Sequence, residues 1–192
     1  MTRPTVLVAG FGRCGSSLVM QMLHAGGMPC DGTFPDFEAI SLHLMSHDAW
    51  IARTRGRAVK VLDPHLYPPP VGPDYRTIWL TRDPSEQARS ALKLIGGPDT
   101  RHARRAFARS YVKDRRKAIQ ALMKADAHRA GILELSFEAI IREPLRVASS
   151  IAAFVGIEGR VPVAQMAKCV IPRPVTCLPF MLERQLIARG AA

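Results

Sequence analysis

The sequence predicts an α/β three-layer sandwich, a mostly parallel central sheet with helices on both faces. Short apolar runs alternate with segments of helical periodicity along the chain. Strands separated by helices pair in parallel and are covered on both sides. Two of the strand-to-helix junctions also carry strong local signals, a glycine-rich turn and an Asp-Pro start. With 192 residues and no linker or internal repeat, the chain is expected to form one domain over 1–192.

The elements follow in order. Thr5 to Ala9 reads as a buried strand and Gly10 to Gly15 as a turn. Ser16 to His24 has helical spacing, with Leu18, Met22 and Ala25 on one face, until Gly26-Gly27 ends it. A second helix is expected over about Asp36 to Arg53. Ala58–Leu62 and Thr77–Leu80 read as central strands, separated by an irregular stretch that Pro64 and Pro68-Pro69-Pro70 enforce. Pro84 suits the first turn of a helix to about Ile95, with Asp83 as its N-cap. A long helix over Arg101 to Ala127 places Phe107, Tyr111, Ala118, Ile119 and Leu122 on one face. A strand at Ile132–Leu135 and helices at Glu138–Ile141 and Pro144–Val155, stopped by Gly156, follow. The prolines at 162, 172, 174 and 179 break the last stretch into helical pieces.

Composition narrows the function. The 47% hydrophobic and 22% charged residues exclude a disordered chain. No apolar run reaches the roughly 18–20 residues of a membrane span, and the start of the chain lacks a signal-peptide pattern. A soluble cytoplasmic protein is expected. Cys14, Cys30, Cys169 and Cys177 form no CxxC pair, so no metal is expected. The 27 Lys+Arg against 16 Asp+Glu give +11, which points to an anionic partner: nucleic acid, a membrane surface or a highly charged small ligand.

The run Val6 to Ser17 is strand, glycine turn, helix. That geometry aims backbone N–H groups and the positive end of a helix dipole at one point, where an anion binds. Gly10, Gly12 and Gly15 allow close approach, Ser16 and Ser17 add hydroxyls, and Arg13 adds charge. The spacing of Gly10 and Gly15 matches the GxxxxGK[ST] nucleotide loop, but Ser16 stands at the lysine position. The same residues match GxGxxG, without a convincing acid about 20 residues on. A glycine turn that only reverses the chain is the structural alternative. The second junction is Arg82-Asp83-Pro84, with Ser90 eight residues after Arg82. An Arg at the carboxyl end of a parallel strand points into the ligand crevice of an open α/β sheet, and guanidinium with hydroxyl suits a phosphate. An Arg82–Asp83 ion pair capping the helix is the alternative.

Together these motifs resemble the sulfotransferase family, whose members use 3′-phosphoadenosine 5′-phosphosulfate (PAPS). Arg13-Cys14-Gly15-Ser16-Ser17 is similar to the family's 5′-phosphosulfate loop, and Arg82 with Ser90 to its 3′-phosphate site. A third similarity runs through Glu134-Leu135-Ser136-Phe137-Glu138, Glu143-Pro144 and Phe154-Val155-Gly156-Ile157; the whole likeness spans residues 5 to 157. Gly12 replaces the family's usual proline, Cys14 a common Ser, and the C-terminal Arg-Lys-Gly loop is missing, leaving Arg173 and Arg184 as its distant candidates.

The resemblance implies a P-loop NTPase-like fold and sulfuryl transfer from PAPS to a hydroxyl or amine of a small molecule or glycan, without a metal. Gly12, Arg13, Cys14, Gly15, Ser16 and Ser17 would hold the 5′ end, with Arg13 also meeting the leaving oxygens; Arg82 and Ser90 would hold the 3′-phosphate. The family's usual base position, a His after a Lys on the second strand, is occupied here by Leu62. Candidate bases are therefore Glu38, Asp63 and His65, in that order, each with a plain structural alternative. Lys60 either holds substrate or leaving group or snorkels along the surface. Cys14 is either a small filler of the turn or, beside Arg13 at a helix N-terminus, a thiol of lowered pKa.

Finally, Arg101, Arg105, Arg109, Lys113 and Lys117 recur every four residues, with Arg104, Arg115 and Arg116 nearby. They form either a solvated face or an anion-steering stripe. A basic nucleic-acid-binding module is the rival reading, though the 6% aromatic content and the lack of a binding signature argue against nucleic acid. A degenerate kinase- or NTPase-like protein is the third.

Overall fold

The computed structural model describes residues 4–38, 44–128 and 131–177. Four strands, β1 (Thr5–Gly10), β2 (Ala58–Leu62), β3 (Tyr75–Thr81) and β4 (Ile132–Ser136), form one sheet in the order β2-β1-β3-β4. Every pairing among them is parallel. The expected α/β sandwich is therefore the observed fold.

Alternation along the strands builds its two interior layers. Val6 and Val8 of β1 and Ile78 and Leu80 of β3 face a core completed by Leu18, Met22, Ile140, Val147, Ile151 and Met166. These come from α1 (Ser16–Ala25), α5 (Phe137–Arg142), α6 (Pro144–Val155) and α7 (Arg160–Lys168). Leu7, Ala9, Val59, Val61, Tyr75 and Trp79 face the other way. There Trp50 of α2 (His47–Thr54) and Ala118, Leu122 and Ala125 of α4 (Arg101–Ala125) cover them. Strands buried on both faces must be apolar throughout, which is why β1 and β3 read so clearly in the sequence. Trp79 alone buries roughly 200 Å², worth about 5 kcal/mol of apolar transfer.

Local signals account for most helix boundaries. The Asp83 side chain accepts hydrogen bonds from the N–H groups of Ser85 and Glu86, starting α3 (Pro84–Leu94) as expected. Thr100 caps α4 through the Ala103 N–H, and Gly156, in the left-handed region at φ 79°, closes α6. The helix expected from Asp36 is a correction. The chain around residues 31–38 turns instead: Thr33 and Glu38 form an antiparallel bridge, and Gly32 lies so close to the Phe37 backbone that a Cβ there would sit 2.6 Å from it. Ser46 supplies the helix start, its hydroxyl accepting from the Ala49 N–H, so α2 occupies only the last part of the expected span. Part of that span, 39–43, lies outside the described residues, as does Arg184.

Strand order fixes where a ligand crevice opens. From β1 the chain crosses to β2 on one side, while β3 leads to β4 on the other. The β1 and β3 carboxyl ends therefore flank a topological switch point, the usual crevice of open α/β sheets. No described helix is long and apolar enough to cross a membrane.

Candidate functional site

A cavity of about 320 Å³ lies at that switch point, lined among others by Gly12, Arg13, Gly15, Ser16, Ser17, Glu38, Leu62, Arg82, Phe137 and Arg173. The glycine turn forms one wall. Arg13 and Gly15 both adopt positive φ, 71° and 99°. For Arg13 this is uncommon and strained, the kind of geometry that clusters at ligand sites. Gly15 has a second constraint: a Cβ there would lie 2.7 Å from the Phe137 ring. At Gly10 a Cβ would meet the Cys14 sulfur at 2.7 Å and the Leu80 carbonyl at 2.9 Å, so two of the three glycines are sterically required. Gly12 has open space instead. Gly15 is the N-cap of α1 and no side chain caps that helix, and Gly15, Ser16 and Ser17 at its start line the cavity.

The opposite wall comes from the end of β3 and from α3. Arg82 is buried, donates from Nη1 to the Arg13 carbonyl at 3.2 Å, and sets its guanidinium carbon over the Phe137 ring, 4.3 Å from the centre. It therefore points at the glycine turn, while Asp83 serves as the helix cap. Two residues of α3 fasten the turn from behind. Ser90 is fully buried and accepts from Arg13 Nε at 3.0 Å, while the Gln87 amide donates to the carbonyls of Phe11 and Gly12 at 3.2 and 2.8 Å. Ser90 thus meets the cavity through Arg13. Gln87 escaped the sequence reading; its signal was its place three residues before Ser90, on the same helix face.

The third side of the site holds charge: Glu38 lines the cavity, and Lys60, outside its lining, is joined to Glu38. Alternation in β2 turns Lys60 toward α1, with its side chain only 3% exposed. Its ammonium donates to Ser17 Oγ at 3.0 Å, to Glu38 Oε1 at 2.8 Å and to the Asp36 carbonyl. The surface-snorkelling alternative for Lys60 is overturned. Glu38 remains 53% exposed at the cavity wall. The other two base candidates are not brought in. Asp63 adopts φ 51° beside the turn and accepts from the Gly12 N–H; burial raises its carboxyl above the usual range, against the lowering effect of His65 and of that hydrogen bond. His65 packs edge-on to Phe11, with Asp114 4.0 Å away. Neither lines the cavity.

The Cys14 thiol lies beneath the turn, wholly buried, and burial pushes its pKa up to about 11, against weaker lowering by hydrogen bonds and by Lys60. Of the two readings of Cys14, the thiol of lowered pKa is therefore overturned, because desolvation outweighs the lowering contacts. Arg173, named in the sequence only as a distant candidate, reaches the cavity and lies 5.6 Å from the Phe137 ring centre, on the same ring as Arg82. The segment carrying it is tied to α3 where the Cys177 N–H donates to Glu86 at 2.6 Å.

A parallel α/β sheet with an open helix N-terminus and three arginines, Arg13, Arg82 and Arg173, at its switch point has the chemistry to hold an anionic ligand. Solved structures place the fold more narrowly. Over 88% of its length the chain is similar to a retinol dehydratase in complex with androsterone and the inactive cofactor PAP, at 15% identity and a TM-score of 0.57. Over the same share it is similar to a mouse sulfotransferase complexed with PAP, at 13% identity and a TM-score of 0.56. The chain spans 65% and 64% of those two proteins. All of it is similar to the sulfotransferase domain of the Synechococcus PCC 7002 olefin synthase, covering 96% of that domain at 14% identity and a TM-score of 0.53. The chain thus has the fold of the sulfotransferases. No protein-family model and no curated protein matches its sequence.

Proposed function

We propose that the protein is a sulfotransferase that moves a sulfuryl group from PAPS to a hydroxyl or amine acceptor. The observation that carries this reading is the convergence on one cavity of the uncapped α1 N-terminus, Arg13 and Arg82. Two anionic groups of one ligand need two such anchors. In this reading the α1 N–H groups, Ser16 and Ser17 hold the 5′-phosphate, and Arg82 with Arg173 holds the 3′-phosphate. The two arginines on Phe137 then replace the Arg-Lys-Gly loop that the sequence lacks. Ser90 acts by orienting Arg13.

Transfer breaks the bond from sulfur to the 5′-phosphate oxygen and forms one from sulfur to the acceptor oxygen or nitrogen. Charge growing on the departing phosphate is met by Arg13 and by Lys60, which already touches Ser17. The acceptor proton passes to Glu38, first in the ranking of bases, which lines the cavity together with Asp36. Asp63 supports the turn through Gly12 and takes no part in proton transfer.

Calorimetry with 3′-phosphoadenosine 5′-phosphate (PAP), ATP and a random oligonucleotide tests the assignment. Selective binding of PAP supports it. ATP binding equal to PAP would favour the NTPase-like alternative, and salt-sensitive oligonucleotide binding without nucleotide binding the nucleic-acid module.

A further inference from the structure

The positive charge of this protein is concentrated in one element. Helix α4 carries six Arg and three Lys against the single Asp114, a net +8 of the protein's +11. At about 100° per residue, Arg105, Arg109, Lys113 and Arg116 fall within an arc of about 80° and span about 16 Å along the axis. That arc lies opposite the buried face of Ala118, Leu122 and Ala125, and all four residues are exposed. Three other cations of the helix are matched: Arg104 by Asp99, Arg115 by Glu134, Lys117 by Asp114. Arg105, Arg109, Lys113 and Arg116 form no salt bridge with a described residue. A merely solvated helix face mixes signs at i,i+4, because like charges at that spacing repel. This face repeats one sign at that spacing.

The same face interleaves apolar side chains with the cations. Val112 is 67% exposed and Met123 57% exposed, whereas the aromatic Phe107 and Tyr111 turn inward. Base stacking on aromatics, the usual partner of basic grooves that grip single strands, is therefore missing from the face. A lipid surface would call for bulky apolar anchors beside the cations, and two isolated side chains do not provide them. Arginine-rich contacts with scattered Val and Met match a protein interface instead. The row Arg105, Arg109, Lys113 has a pitch of about 6 Å, the pitch of carboxylates placed every four residues on another helix.

We propose that the outward face of α4 docks an acidic helix of a partner protein, its Asp or Glu side chains at i,i+4 pairing with the row Arg105–Arg109–Lys113 and with Arg116. This site is separate from the cavity and does not depend on the nucleotide assignment.

The test uses the full chain and two labelled alanine-based helical peptides of equal composition. One carries Glu every fourth residue; in the other the same Glu residues are spread around the helix. A random oligonucleotide and phosphatidylserine-containing vesicles serve as competing probes, and anisotropy is read at low and at physiological salt. The expected result is about tenfold tighter binding of the i,i+4 peptide, weakening with salt and lost in the triple variant R105E/R109E/K113E. Circular dichroism and PAP binding of that variant should match those of the parent chain, separating lost docking from lost folding. Equal affinity for the two peptides, tighter binding of oligonucleotide or vesicles than of the i,i+4 peptide, or unchanged binding by the folded triple variant would each overturn the proposal.

Discussion

Replacing Arg82 by Met isolates the anchor on which the nucleotide assignment rests. The side chain is buried, contacts the Arg13 carbonyl and sits over the Phe137 ring, so Met fills much of its volume while removing the charge and its donors. Hydrogen bonds to charged groups are worth about 1.5–3 kcal/mol each, so two from the guanidinium to a phosphate amount to about 3 kcal/mol or more. Losing them would weaken PAP binding about 100-fold. Any distortion of the turn by the substitution would weaken all nucleotides together. The decisive quantity is therefore the ratio of dissociation constants for PAP and for 5′-AMP, which lacks the 3′-phosphate. Calorimetry should show PAP preferred by the parent chain and the preference collapsing in Arg82→Met. A ratio unchanged within about threefold would remove Arg82 from the 3′-phosphate and with it the proposed orientation of the ligand.

Other consequences follow from the same geometry. Gly15→Ala forces a side chain into φ 99° and against Phe137, so it should cost about 3 kcal/mol of stability in urea unfolding; a loss below about 1 kcal/mol would contradict the steric reading. Lys60→Met should weaken PAP binding about tenfold, since it removes a charged contact to Ser17 at the head of α1; unchanged affinity would limit Lys60 to holding Glu38. The Cys14 thiol, buried and with a pKa of about 11, should resist iodoacetamide at pH 8 in the folded protein and react once unfolded, as peptide mapping would read out. Asp63 has a folded pKa raised above its unfolded value, so it contributes stability below the unfolded pKa that is lost as pH rises through the folded one. Asp63→Asn should flatten that part of the stability profile, and a profile identical to that of the parent chain would place the titration elsewhere.

The sequence by itself determined the sheet and the two corners that face the cavity. Strands buried on both sides must be continuously apolar, and the Gly10–Ser17 and Arg82–Pro84 segments carry their turn and cap chemistry locally, within a few residues. Asp36 misled as a helix start because the turn at 31–38 depends on Gly32 packing against the Phe37 backbone, a contact that periodicity does not encode. Only the tertiary structure decided which distant side chains meet. Lys60 is one cation in an apolar run until β2 is laid beside β1, and then its ammonium reaches Ser17 and Glu38. Phe137 is an ordinary core aromatic until β4 pairs with β3 and sets it between Gly15, Arg82 and Arg173. The Cys14 thiol likewise changed character, because desolvation depends on everything packed around a group and not on its neighbours in the chain.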